Sequence, residues 1–108
     1  MLAPDPAPVL DLIEAFRRSK TMFTAVRLGV FDRLHDGPAS ADVLCADLGI
    51  DASAGLRLLD ACVGFGLLSK ADGQYANSEA ATVYLRRASE RTLAGYILYS
   101  DEVLYPMW

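Results

Sequence analysis

Basic charge is scarce in this 108-residue chain: ten Lys and Arg stand against fourteen Asp and Glu, a formal net charge of −4. That balance has the wrong sign for a domain that binds nucleic acid by displacing counterions from phosphates, although a locally basic face stays open. Histidine is nearly absent. His35 stands alone just before Asp36-Gly37-Pro38, so a Ser/His/Asp or Cys/His mechanism would rest on that one loop residue, and an exposed turn side chain is the simpler reading. The two cysteines, Cys45 and Cys62, form no CxxC and have no His-x3-His beside them, so metal-ligand spacing is missing. They read as small buried hydrophobes on separate helices. No apolar run approaches the ~20 residues that a membrane span needs. Residues 1–8, Met1 to Pro8, lack the basic start and apolar stretch of a signal peptide and read as a flexible Pro-rich lead-in, which makes a cytoplasmic location the expectation.

What is present is apolar surface: 53% of residues are hydrophobic and 22% charged. A chain of this length buries about two-thirds of its unfolded surface in one core, so residues 9–108 are read as one domain. From Val9 the apolar residues Leu12, Ile13, Phe16, Met22, Phe23, Val26 and Leu28 fall mostly three or four apart, the spacing of a long amphipathic helix. Gly29 breaks it, and Val30 to Leu34 gives one further turn before Asp36-Gly37-Pro38. Ser40 is placed to cap a short helix to about Leu48, stopped by Gly49, with Val43, Leu44 and Leu48 on its core side. Asp51 caps the next, whose apolar set is Leu56, Leu58, Leu59, Cys62, Val63 and Phe65, with Gly66 past its end. Leu67 to Lys70 and Tyr75 to Asn77 flank an Asp72-Gly73 turn and predict a β-hairpin. Ser78 caps a helix over Glu79 to Leu85, and a last helix runs from about Thr92 to the end. Ser40 to Asn77 thus forms a winged helix-turn-helix pattern inside a mainly α chain.

Chemistry is hard to find. Gly64-Phe65-Gly66 follows a helix rather than a strand and lacks a third glycine, so it reads as a helix ending and not a nucleotide loop. Asp47, Asp51, Asp60 and Asp72 lie on separate caps, turns and faces and make no acid–base pair. No residue is assigned to catalysis, a cofactor or a metal. A DNA-reading helix should offer strong base readers, yet from Ala52 to Phe65 only Arg57 qualifies, and Asp51 and Asp60 would repel phosphate. The wing's Lys70 and the later Arg86 and Arg87 read as a solvated face.

The two ends carry more information. The last helix holds Leu93, Tyr96, Ile97, Tyr99, Val103, Leu104, Tyr105, Met107 and Trp108, enough to cover most of its circumference. A helix apolar all round needs burial on more than one side, which a chain this small can hardly supply, so a second copy or another domain is implied. Pro106 is placed to kink that helix. The ending Tyr105-Pro106-Met107-Trp108, in mid-pattern, reads as cut.

Three stretches carry a resemblance together: Ala25-Val26-Arg27-Leu28-Gly29-Val30-Phe31-Asp32-Arg33-Leu34, then Leu56-Arg57-Leu58-Leu59-Asp60-Ala61-Cys62-Val63-Gly64-Phe65-Gly66-Leu67-Leu68, then Tyr75-Ala76-Asn77-Ser78. From about Val9 to Trp108 the chain resembles the N-terminal dimerisation domain of S-adenosylmethionine-dependent O-methyltransferases, especially the acetylserotonin O-methyltransferase-like branch. The resemblance implies a winged-helix-like module whose long first and last helices interlock with a twin. S-adenosylmethionine and the catalytic base are then expected in a separate Rossmann-like domain, since no strand here leads into a glycine-rich loop. It further implies a small hydroxylated aromatic substrate for the whole enzyme, and no nucleic-acid or membrane partner. The candidate dimer interface is Phe16, Met22, Phe23, Tyr96, Val103, Leu104 and Met107. The candidate lining of the substrate pocket is Phe16, Phe23, Tyr99, Tyr105 and Trp108, with aromatic dimer packing as the plainer role. A freestanding winged-helix regulator that binds DNA is the alternative, and a stand-alone small-ligand binder a third.

Overall fold

The computed structural model describes residues 2–108, so Met1, in the expected lead-in, lies outside the described residues. Helix α1 spans Ala7–Leu28, and at 1.5 Å per residue its 22 residues reach about 33 Å. It starts two residues earlier than the apolar spacing suggests. Pro6 is its N-cap and Pro8 sits in the first turn, where an amide has no helical partner and proline's fixed φ already suits the helix. Asp5 Oδ1 accepts the Ala7 amide at 2.9 Å. Gly29 ends α1 with φ 82°, and α2, Val30–Leu34, sets off in a new direction.

Helix α3 covers Ala41–Leu48 and α4 covers Ala52–Gly64. The caps are those the sequence gives: Ser40 Oγ accepts from the Val43 amide at 3.3 Å and Asp51 Oδ2 from the Ala54 amide at 2.8 Å. Gly55 lets α3 and α4 close on each other, because a Cβ there would lie 2.4 Å from the Cys45 sulfur. Strands β2, Leu68–Ala71, and β3, Gln74–Asn77, form the expected hairpin. Asp72 and Gly73 turn it with φ 53° and 75°, the pair of left-handed residues that a tight two-residue hairpin requires. A strand absent from the sequence reading, β1 at Ala39–Ser40, pairs antiparallel with the other edge of β3, placing Ala39 opposite Tyr75.

The core lies where α1, α2, α4 and β3 meet, around Val26, Val30, Phe31, Leu44, Leu59, Cys62 and Tyr75, all shut off from solvent. Burial raises the Cys62 thiol to about 11. Burial also raises Cys45, helped by Asp42 and Asp51. Both thiols are free. The Tyr75 hydroxyl needs a partner inside and donates to Asp60 at 2.5 Å, while Lys70 reaches the same carboxylate at 3.3 Å. Three residues expected inside are not: Val43, Leu56 and Phe65 are each more than 40% exposed. They share helices with core residues, but the turns they occupy have no neighbour packed over them.

Helix α5 spans Glu79–Tyr84, capped by Ser78 Oγ, which accepts from the Ala81 amide at 3.1 Å. Helix α6, Ala94–Tyr99, then runs into a π turn at Ser100–Leu104 and a final α7 at Tyr105–Met107. The break in the last helix therefore precedes Pro106. The Tyr105 amide reaches five residues back to the Ser100 carbonyl, a wider turn that absorbs the missing N–H and the ring of the proline.

Candidate dimerisation surface

Helix α1 has two unlike halves. From Thr21 onward it packs on the core. Between Ala7 and Ser19 every side chain except Ala15 is exposed, including Val9, Leu10, Leu12, Ile13 and Phe16. This projecting arm explains a radius of gyration of 15.6 Å and extents of 56 × 32 × 26 Å, against about 13 Å for a compact chain of 100 residues. At 100° per residue Leu12, Phe16, Val9 and Ile13 share one side of the helix, and the same side continues to Lys20, Phe23 and Arg27. The polar residues Asp11, Glu14 and Arg18 take the other. Arg18 meets Asp11 at 3.3 Å and Arg17 meets Glu14 at 3.5 Å along the helix, so the arm's charges are paired among themselves.

The last helix covers the inner part of that stripe and leaves the outer part bare. Ile97 joins the core, and Asp101, the buried charged residue of the described chain, accepts hydrogen bonds from Lys20 and Arg27 together. Arg27 also donates to Glu102 at 2.8 Å. The Lys20 ammonium lies 5.3 Å from the Tyr105 ring centre and 6.0 Å from that of Phe23. Hydrogen bonds from Lys20 and then Arg27 hold the Asp101 carboxyl below the usual carboxylate range, although burial pulls the other way. Nothing in the sequence reading singled out Asp101; the available signal was one acid inside an apolar helix, with two cations two turns apart on α1.

An apolar groove of about 450 Å³ opens between α1, α5 and α6, lined by residues such as Met22, Phe23, Tyr84, Leu85, Leu93 and Tyr96. Three of the candidate interface residues, Met22, Phe23 and Tyr96, thus come together on one concave surface. Phe16 belongs to a second, shallower hollow with Leu58 and Phe65. Leu104 and Met107 are exposed farther along the last helix, and Val103 is half-buried. Of the candidate pocket residues, Tyr99, Tyr105 and Trp108 are exposed, and Phe23 packs partly into the core.

The α4 face offers little to a polyanion. Arg57 Nη2 donates to Ser53 Oγ at 3.2 Å, Lys70 is paired with Asp60, and Arg87 is held by Asp32 at 2.9 Å. Arg86 Nε donates to the Thr82 carbonyl at 2.8 Å. His35 is exposed in its turn. Among the described residues no three His, Cys, Asp or Glu side chains are grouped to hold a metal, and no helix is long and apolar enough to cross a membrane.

A winged-helix body with an uncovered apolar arm and groove agrees with what the chain is similar to. The family model of the O-methyltransferase dimerisation domain matches residues 10–87. The chain belongs to that family. Among curated relatives of this dimerisation domain, the human probable bifunctional dTTP/UTP pyrophosphatase/methyltransferase protein is 38% identical over 108 residues, 99% of this chain and 17% of the relative. Chicken acetylserotonin O-methyltransferase is 38% identical over 109 residues, 95% of this chain and 32% of that protein. The chain therefore spans a third or less of the length of these relatives. Human N-acetylserotonin methyltransferase in complex with SAM matches the fold with a TM-score of 0.86 at 29% identity, over 100% of this chain and 34% of that one. PigF with SAH matches with a TM-score of 0.91 at 27% identity, over 98% of this chain and 35% of its own.

The residues of the dimerisation domain do not fit S-adenosylmethionine. Its one sheet is antiparallel, in the order β1-β3-β2, and the glycine turn at Asp72-Gly73 closes a hairpin instead of opening a helix. A glycine loop that presents amides to a nucleotide needs the strand-to-helix turn of a parallel βα unit.

Proposed function

We propose that this chain is the homodimerisation module of an S-adenosylmethionine-dependent O-methyltransferase that acts on a small hydroxylated aromatic molecule. The cofactor and the catalytic base belong to a separate domain, and this chain holds neither. The observation that carries the reading is the uncovered apolar surface of α1 and the last helix, on a domain whose family is defined by dimerisation. Phe16, Met22, Phe23, Tyr96, Val103, Leu104 and Met107 form the interface. Burying such residues against a second copy gives an interface that resembles a core cut in half.

The test is molar mass by light scattering. The chain is expected to run as a dimer, and Leu104→Asp, which puts a charge on a 43%-exposed apolar position of the last helix, should weaken association about tenfold or more, about 1.4 kcal/mol. A Leu104→Asp chain with unchanged dimer mass at low micromolar concentration removes the last helix from the interface.

In the longer enzyme, Phe16, Phe23, Tyr99, Tyr105 and Trp108 line the acceptor pocket, the last three supported by aromatic rings left open on one end of the domain. Trp108→Ala there should raise KM for the aromatic acceptor about five- to tenfold with little change in kcat, the pattern of lost uniform binding. Unchanged KM with an intact dimer takes Trp108 out of the pocket. The regulator reading finds no support in the α4 face, where Lys70 is already paired with an acid.

A further inference from the structure

The arm of α1 and the groove are complementary in a way the dimer reading alone does not specify. The arm presents Leu12, Ile13 and Phe16 on a side without unpaired charge, since Asp11 pairs with Arg18 and Glu14 with Arg17. The groove is lined by apolar side chains with Ser100 as its polar member, and it has room for several large side chains. Within one copy the stripe is already covered as far as Lys20 by the last helix, and what it lacks is a cover for the preceding three turns. A folded protein does not leave such a stripe in water without a partner.

We infer that the arm of one copy seats in the groove of a second, with Leu12, Ile13 and Phe16 against Tyr84, Leu93 and Tyr96, and that a two-fold axis repeats the exchange in the other direction. The inference rests on the homodimer reading and names its contact. Because the pairing is self-complementary, each copy gives an arm and receives one, and the contact closes at two subunits. Five large side chains on each arm, at roughly 100 Å² of apolar surface apiece, bring about 1,000 Å² from the two arms, and the receiving grooves add to it. That reaches the ~1,200–2,000 Å² of a stable interface.

Cross-linking tests this. Ile13→Cys and Tyr96→Cys change two exposed positions, 59% and 67% accessible, so a fold that is intact by circular dichroism is expected. The native thiols of Cys45 and Cys62 are buried, and the unchanged chain serves as the control for them. With a short bis-maleimide the double variant should become a covalent dimer in high yield, and an equimolar mixture of the two single variants, exchanged to mixed dimers, should link as well. Ile13→Cys linking to itself as efficiently as to Tyr96→Cys would put arm against arm and overturn the inference. A dimer by light scattering with no link between positions 13 and 96 overturns the arm-in-groove contact and leaves the homodimer standing. A monomer throughout overturns both.

Discussion

Phe31→Ala is expected to cost about 3–5 kcal/mol, read as the fall in unfolding free energy in urea at fixed chain concentration. Phe31 is shut off from solvent on the short α2, within a cluster that includes Val26, Val30, Leu59 and Tyr75. Asn77 Nδ2 donates to its backbone carbonyl at 2.9 Å, so β3 is tied to the residue whose ring it packs against. Removing the ring leaves a cavity among elements that are pinned from several sides and relax little toward it, and the cost should therefore lie near the top of the usual range. For a domain of this size that is a third or more of the total stability. Phe31→Leu keeps most of the volume and should cost under about 1.5 kcal/mol. If the alanine variant loses no more than the leucine one, the core closes over the gap and Phe31 is not its centre.

Much of this architecture was legible because its signals are local. Ser40, Asp51 and Ser78 cap the helices assigned to them, and Gly29 and Gly49 take the left-handed stops expected of them. The Asp72-Gly73 hairpin followed from two residues. What was illegible depends on chain neighbours far away in sequence. β1 is two residues long, too short for an alternating pattern, and exists because β3 offers it a free edge. Val43, Leu56 and Phe65 have the spacing of core residues, yet whether a helical turn is covered is decided by the next element, not by the helix itself. The groove has the same origin: Phe23, Tyr84 and Tyr96 are unremarkable along the chain, and only the packing of α5 and α6 on α1 sets them around one hollow. Asp101 was missed for a related reason. Its partners lie 81 and 74 residues away, and helix periodicity alone puts a lone acid on the wet side.

Asp101→Ala should lower stability by about 2 kcal/mol at neutral pH, and by progressively less as the pH falls. The side chain is 7% exposed and takes bonds from Lys20 and Arg27 at once, so two charge-assisted contacts offset the burial of one carboxylate. Both cations are themselves more than 40% exposed. Freed by the substitution, they return to water, which keeps the loss below the 3–5 kcal/mol of a fully buried pair broken on one side. The sign with pH follows from the direction of the shift. The folded carboxyl titrates below its unfolded value of about 3.9, so its contribution is complete above about pH 5 and is lost as pH falls through the carboxylate range. The difference between the two proteins should thus be full at pH 7 and nearly gone by about pH 2. A gap that stays constant down to acid would mean that Asp101 acts by packing and not by charge. Hydrogen exchange separates the two further, because Asp101 lies within the π turn and fastens the last helix to α1. With the clamp removed, amides from Glu102 onward should lose protection while those of α4 and β3 keep theirs; equal loss everywhere would make Asp101 a contributor to global stability and not the anchor of the terminal helix.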